Sequence, residues 1–214
     1  MATQLQTALR VTKAGAIALE VATDELCALD SVAGDGDHGL AMGAAAKAIR
    51  RRLANDPPPD LAGLTELLAD EFGAVGGSMG ALLSVAFGAL GDRLAGTSGP
   101  LSAGQVADYL AAVCEALSEF GGAKFGDKTI VDAVASAHVA AAAAAARDLS
   151  ASETLAAAAA GANAGAESTA GLVARVGRAS RLGERSRGSV DAGARSFALA
   201  LNAMADAYST EEST

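Results

Sequence analysis

The sequence predicts an all-α protein, an antiparallel up-down bundle or barrel of eight helices. Alanine, the strongest helix former, occupies 56 of the 214 positions. Aromatic residues make up only 3% of the chain although 51% of residues are hydrophobic, so the core must be built from alanine, leucine and valine. Apolar residues recur at helical spacing, and no segment alternates in the manner of a strand. The length fits one domain, residues 1–214.

Helix boundaries follow from capping residues and from proline. Ser102, Thr129, Ser152 and Asp191 each precede an apolar run and are predicted N-caps. The segment NDPPPD at 55–60 ends one helix, because proline lacks the amide hydrogen and clashes with the preceding turn. The predicted helices run over residues 3–28, 39–54, 60–75, 80–95, 102–119, 129–147, 152–174 and 191–208.

Charge and hydropathy exclude several classes of protein. A net charge of −9 argues against a nucleic-acid binder, because the phosphate backbone would be repelled. The most apolar stretch, Ala133–Ala146, has about 14 residues and is too short for a membrane span. The N-terminal residues show no signal-peptide pattern, so we expect a soluble, cytoplasmic protein. Cys27 and Cys114 show no metal-ligand spacing and are predicted to be buried free thiols.

Glycine and charged residues are concentrated in alternate connections between the predicted helices. The second, fourth and sixth connections are plain turns, whereas the first, third, fifth and seventh are rich in glycine and charge. Alternate connections of an up-down bundle lie at the same end, so these four loops are predicted to meet on one functional rim. They read LDSVAGDGDHG (29–39), GAVGGSMG (73–80), FGGAKFGDKT (120–129) and RVGRASRLGERSRGSVDAG (175–193).

The first of these loops is predicted to bind a metal ion. Asp30, Asp35 and Asp37 place three carboxylates within eight residues, where they repel one another unless a cation is present. Mg²⁺ prefers such oxygen ligands together with phosphate oxygens and water. The spacing does not fit an EF-hand, whose last glutamate is replaced here by Ala41 or Ala46. A solvated acidic turn is the alternative.

The other three loops suit phosphate groups. Gly76 and Gly77 precede a helix whose first amides can bind an anion, although glycines also allow helices to pack closely. The segment GDKT at 126–129 is not a P-loop, because no strand precedes it. The last loop holds five of the 16 basic residues, which suits a phosphate ligand opposite the aspartates; a solvated basic loop is the alternative. Together the loops predict a magnesium–nucleotide site for phosphoryl transfer.

Four segments resemble the L subunit or domain of dihydroxyacetone kinases, which binds the nucleotide. The resemblance covers essentially the whole chain in the family's order, although Met79 stands where the family usually has serine, and Ala192 where proline is frequent. The matching segments are GDGDHG (34–39), VGGSMG (75–80), GDKTIVDA (126–133) and GRASRLGERSRGSVDAGA (177–194).

The resemblance implies an eight-helix barrel that holds ADP or ATP with two Mg²⁺ ions at one end. It makes Asp30, Asp35 and Asp37 the metal ligands, and it gives Arg178 and His38 catalytic roles on the phosphates. The implied nucleotide contacts are His38, Gly39, Leu40, Ala41, Ser78, Met79, Gly121, Ile130, Arg178, Asp191, Ala192 and Gly193.

The family's substrate-binding histidine belongs to a separate K subunit or domain, so this chain would need that partner. The acceptor would be dihydroxyacetone or another small ketose such as erythrulose. The donor would be ATP itself or a phosphotransferase-system protein that rephosphorylates bound ADP. A homodimer, a regulatory module that binds nucleotide without turnover, and a structural bundle without ligand all stay open.

Overall fold

A computed structural model describes residues 3–97 and 99–212. Over these ranges the chain forms nine α-helices and two 3₁₀ segments, at 169–171 and 178–186, and no strand. The helices are α1 (Gln4–Val21), α2 (Thr23–Ala33), α3 (His38–Asn55), α4 (Leu61–Ala74), α5 (Gly77–Leu94), α6 (Ala103–Gly121), α7 (Ile130–Ala145), α8 (Ala151–Ser168) and α9 (Ala192–Glu212).

The helices form a closed ring of eight rods. Helices α1 and α2 follow one another with only Ala22 between them and together form the first rod. Each later rod packs against the next along the chain, and α9 packs against both α8 and α1, which closes the ring. The prediction of an all-α, eight-rod antiparallel architecture is therefore confirmed.

Two predicted boundaries differ from the structure. The predicted helix 3–28 is interrupted at Ala22, where the polar run from Thr23 to Glu25 starts a new helix with its acidic side chains in the first turn. Apolar spacing continues across this break, so periodicity alone cannot detect it. The predicted helix 152–174 ends at Ser168, where a short 3₁₀ segment at 169–171 follows it.

The predicted N-caps are mostly correct. Ser102 and Thr129 form capping boxes with Gln105 and Asp132. Each cap hydroxyl accepts a backbone N–H of its helix, and the backbone N–H of the cap residue donates to the Gln105 or Asp132 side chain. The cap of α8 is Ser150, two residues before the predicted Ser152. Ser150 takes this role because Glu153 lies at the third helical position, where its carboxylate can accept from the Ser150 amide.

Small residues allow α7, α8 and α9 to approach closely. Ala137, Ala162 and Ala198 have no exposed surface and meet in one core cluster. Gly165 of α8 faces α7, and a Cβ atom there would lie 2.6 Å from both the Asp132 carbonyl oxygen and the Ser136 Oγ. The alanine-rich composition therefore builds the core by close helix contact, as predicted.

Two further expectations concern the membrane and the cysteines. None of the helices in the described ranges is both long and apolar enough to cross a bilayer. Cys27 and Cys114 carry free thiols, as predicted. Each is only partly buried, so the prediction that they are buried is wrong. Burial raises the pKa of the Cys114 thiol.

The α7–α8 contact predicts opposite effects for two glycine substitutions. We expect Gly165→Ala to lower the free energy of unfolding by about 1–3 kcal/mol, because the added methyl group would clash with α7. The matched control is Gly88→Ala in α5, where a Cβ would meet no atom within 4 Å; we expect a gain of about 0.5–1 kcal/mol. Urea unfolding measures both, and equal effects would contradict the packing argument.

Candidate functional site

One cavity of about 490 Å³ is lined by residues from all four glycine-rich loops. The first residues of α3, α5, α7 and α9, which are His38, Gly77, Ile130 and Ala192, all lie in its wall. A helix N-terminus carries partial positive charge and amides without helical partners. Four such termini around one cavity favour an anionic ligand. The prediction that the four loops meet at one end is confirmed.

Two of these termini lack a cap from the residue that precedes the helix. The Asp37 side chain accepts no amide of α3, where Asp30 accepts the His38 N–H at 3.4 Å instead, and α5 is preceded by Gly76, which has no side chain. Gly76 and Gly77 have φ angles of +72° and +67°, and a Cβ at either would meet no atom within 4 Å. These glycines are therefore required by the turn rather than by packing. Gly80 is the packing glycine, because its Cβ would lie 2.8 Å from the Phe72 carbonyl oxygen.

The three aspartates of the first loop converge. Asp30, Asp35 and Asp37 each offer a carboxylate oxygen, and these oxygens all lie within 4.8 Å of one another. Asp30 Oδ2 accepts the backbone N–H groups of Gly36 at 2.9 Å and Asp37 at 3.1 Å, which folds the loop back onto the end of α2. Three hard oxygen donors at the cavity mouth suit a divalent cation such as Mg²⁺.

The guanidinium of Arg178 lies against this cluster. Its Nη1 donates to Asp35 Oδ2, and its Nη2 lies 3.8 Å from Asp37 Oδ1. Among the five arginines of the last loop, all in the described part of the chain, Arg178 alone lines the cavity. Arg175 lies 3.9 Å from Asp127, and Arg187 pairs with Glu184 of its own loop. Of the arginine cluster predicted to lie opposite the aspartates, only Arg178 does so. Its guanidinium can also pair with phosphate oxygens.

His38 is buried at the start of α3. Burial lowers the pKa of His38, and the nearby Asp30 charge only partly opposes this effect. The imidazole is therefore held toward its neutral form, with Nε2 3.2 Å from the Ser196 Oγ. A neutral ring can donate or accept a hydrogen bond without adding charge to the site.

Asp191 and Lys128 form a second polar group in the cavity wall. The Asp191 carboxylate accepts the Ala194 N–H at 2.8 Å and so caps α9. Burial raises the pKa of Asp191 to about 6, against the opposing charge of Lys128. Burial lowers the pKa of the Lys128 ammonium. Lys128 was not among the predicted site residues. Only the GDKT segment marks it in the sequence, and a lysine beside an aspartate in a turn is usually exposed to solvent.

One wall of the cavity is apolar. Leu82, Leu117, Ile130 and Val131 belong to a single hydrophobic cluster and line the cavity, and Phe120 lies beside them. None of these except Ile130 was predicted as a site residue, because helical spacing does not reveal which apolar side chains end at a cavity. A flat, weakly polar group such as a nucleobase suits this wall.

Most of the predicted contacts do line the cavity. Gly39 and Leu40 do not: Gly39 packs against α2, where a Cβ would lie 2.0 Å from the Thr23 carbonyl oxygen, and Leu40 is 63% exposed. Asp35 lies beside the cavity, held by Arg178. The predicted residues in the wall are Asp30, Asp37, His38, Ala41, Ser78, Met79, Gly121, Ile130, Arg178, Asp191, Ala192 and Gly193.

The chain is similar to kinases among both curated proteins and solved structures. An L-erythrulose kinase from Pectobacterium atrosepticum is 38% identical over 113 residues, covering 51% of this chain and 19% of the relative. The dihydroxyacetone kinase of C. freundii superposes with a TM-score of 0.74 in its native form, at 30% identity over 96% of this chain and 35% of that one. Its complex with AMP-PNP and Mg²⁺ gives a TM-score of 0.71, at 30% identity over 96% of this chain and 34% of that one.

The chain spans about a fifth of the length of that L-erythrulose kinase and about a third of the C. freundii enzyme. The similarity therefore concerns one part of larger kinases. The family model of the DAK2 domain matches residues 32–206, which include all four loops around the cavity except the first residues of the aspartate loop. This match extends over more than half of the sequence, and the chain belongs to the DAK2 domain family.

Proposed function

We propose that residues 1–214 form a nucleotide-binding unit that supplies the phosphoryl group in a kinase for a short ketose. The observation that carries this proposal is the convergence of four helix N-termini, three carboxylates and Arg178 on one cavity. Phosphates with a divalent cation are the ligand that such a mixture of charges suits. The C. freundii structure in complex with AMP-PNP and Mg²⁺ supports ADP or ATP as that ligand.

Asp30, Asp35 and Asp37 would hold Mg²⁺, and we propose two ions by resemblance to the L subunits. Their converging oxygens fit the hard-donor preference of this metal. Bound Mg²⁺ supplies positive charge that offsets the charge of the phosphate oxygens. An ion there would compete with Arg178 for the carboxylates, so the guanidinium becomes available to the phosphates.

The remaining polar groups act on the phosphates. The uncapped amides at the start of α5 donate to phosphate oxygens, and Arg178 offsets charge as the terminal phosphoryl group moves. His38 is held toward its neutral form, and its imidazole would orient a phosphate oxygen by exchanging the Ser196 hydroxyl at Nε2 for it. These groups stabilise a developing charge without taking part in covalent chemistry.

The apolar wall receives the base. Leu82, Leu117 and Ile130 provide a flat surface next to the backbone of Gly121. Met79 reaches toward Gly193, where a Cβ would lie 2.9 Å from the Met79 Cε. The thioether thus occupies the space between these two loops, and Ser78 retains a hydroxyl in the cavity wall. We therefore propose that Met79 contributes packing where relatives of this type use a serine.

The acceptor ketose comes from a partner. The similar kinases are several times longer than this chain, and we propose that a K subunit or domain docks over the rim and holds the ketose. The donor is ATP that exchanges at the site, or a phosphotransferase-system protein that rephosphorylates bound ADP.

The acceptor has two candidates. Dihydroxyacetone is the substrate named for the C. freundii enzyme, and erythrulose is the substrate named for the 38% identical kinase from P. atrosepticum. Both are short ketoses with a primary hydroxyl, which is the group that a phosphoryl transfer needs.

Binding of Mg·ADP is the first test. At a ligand concentration about 100 times Kd we expect the melting temperature to rise by about 5–10 °C, because binding stabilises the folded state alone. We expect Asp35→Asn to weaken Mg·ADP binding about tenfold or more without changing the helical circular dichroism spectrum. The matched control, Asp108→Asn on the exposed surface of α6, should bind as the wild type does.

Two results would contradict this assignment. An unchanged melting temperature in the wild type with Mg·ADP would favour a structural bundle without a ligand. If Asp35→Asn binds Mg·ADP with wild-type affinity, the assignment of the metal to the aspartate loop is wrong, although nucleotide binding itself stands. Calorimetry with and without EDTA separates the two cases.

Phosphoryl transfer is the second test. The chain is mixed with a K subunit and with dihydroxyacetone or L-erythrulose, using ATP or a phosphorylated phosphotransferase-system protein as donor. We expect a phosphorylated ketose from one donor, and about 100-fold lower kcat in Arg178→Gln, because its charge stabilises the transferring group. Arg181→Gln, an exposed arginine of the same loop outside the cavity, is the control. No product in any combination would favour a regulatory module.

A further inference from the structure

Lys128 has a conformation that its surroundings must impose. It precedes α7 and is only 3% exposed, yet it has a φ angle of +64°, in the left-handed region. Residues other than glycine are uncommon in that region and are strained there. A residue keeps such a conformation only where its contacts hold it. We therefore expect the side-chain contacts of Lys128 to be the reason that a lysine, rather than a glycine, occupies this position.

The ammonium of Lys128 joins three separate segments of the chain. Its Nζ donates to the Thr169 carbonyl oxygen at 2.7 Å and to the Ser189 carbonyl oxygen. Thr169 follows the end of α8, and Ser189 belongs to the last loop. The third glycine-rich loop, the end of α8 and the last loop are therefore held together at one cation.

The segment fixed in this way leads directly into the cavity wall. Ser189 and Asp191 both line the cavity, and α9 begins at the next residue, Ala192. The Asp191 N–H donates to Thr169 Oγ1 at 2.8 Å. Thr169 therefore accepts two hydrogen bonds, from the Lys128 ammonium at its carbonyl and from the Asp191 amide at its hydroxyl. Residues 189–193 are thus attached at two neighbouring points to the end of α8.

Charge balance also depends on this lysine. The carboxylates of the buried Asp132 and the half-buried Asp191 both attract the Lys128 ammonium. Asp132 is already committed to the amides of Gly126 at 2.6 Å and Thr129 at 2.7 Å. A buried carboxylate without an opposing charge is unfavourable, so removal of the ammonium would leave Asp191 poorly compensated next to the ligand.

We propose that Lys128 is a positioning residue for the nucleotide, holding residues 189–193 in place through the Ser189 carbonyl. The inference rests on the proposed function, because it takes the nucleotide as the ligand of the cavity. It gives the GDKT segment a role that does not require a P-loop. Lys128 acts on the ligand through the last loop and the start of α9, and no direct contact with the phosphates is needed.

The test is Lys128→Met, which keeps a β-carbon and a similar length but removes the charge and the donors. We expect the Kd for Mg·ADP to rise about tenfold, because buried hydrogen bonds from a charged donor are lost. Lys124→Met is the matched control, since Lys124 is an exposed lysine four residues earlier in the same loop. We expect its Kd to stay within about twofold of the wild-type value.

Two further readouts separate positioning from a general loss of stability. With the K subunit, we expect KM for the nucleotide to rise more than kcat falls, whereas a purely structural role lowers the active fraction and leaves KM unchanged. Without nucleotide, we expect trypsin to cleave the arginines of the last loop faster in Lys128→Met than in Lys124→Met. If Lys128→Met does not fold, Lys128→Gln, whose shorter amide cannot reach both carbonyls, is held to the same expectations.

The outcomes are distinct. If the wild type binds Mg·ADP and folded Lys128→Met binds it equally well, the inference about Lys128 is overturned and the proposed function stands. If the wild type itself binds no nucleotide, both fall. Weaker binding with faster cleavage of the last loop supports the inference.

Discussion

The arrangement of four helix N-termini around one cavity is the constraint on which the site depends. A closed ring of antiparallel rods brings alternate helix starts to the same end, and their partial positive charges then face one space. Such an arrangement is unfavourable unless negative charge lies close by. The aspartate loop, the Asp191 carboxylate and an anionic ligand each supply that charge, so the fold and the ligand class follow from one electrostatic requirement.

Two groups of charged side chains border this cavity, and in each the carboxylates outnumber the cation. Arg178 pairs with carboxylates of the aspartate loop, whose side chains are about half exposed, so water screens the pair. Lys128 is buried, donates to two backbone carbonyls and lies near the Asp132 and Asp191 carboxylates, where screening is weak and the loss of the ammonium is costly. Arg178 can therefore exchange partners with a metal and phosphates, whereas Lys128 keeps the wall in place.

The core explains how the four loops come so close together. Alanine and glycine at the α7–α8 contact bring backbones near one another, as the 2.6 Å clearance for a Cβ at Gly165 shows. Bulkier side chains would move the helix starts apart and widen the cavity. The unusual composition of the chain thus bears on the site through the spacing of the helices, in addition to its effect on helix propensity.

Much of the fold followed from local sequence signals, and the exceptions have local causes. Caps such as Ser102 and Thr129 depend on neighbouring residues and were predicted correctly. The break at Ala22 and the end of α8 at Ser168 were missed, because apolar spacing continues across both positions.

The sequence by itself determined the helical class, the alternation of loops that placed one functional rim, and the aspartates that converge there. Only the tertiary structure decided which residues of those loops face the cavity. It turned Gly39 toward α2, left Leu40 exposed, and brought Lys128 into the wall. The physical reason is that spacing along the chain fixes which side chains share a helix face. Burial of a particular side chain depends on the packing space and the hydrogen-bond partners that distant segments provide.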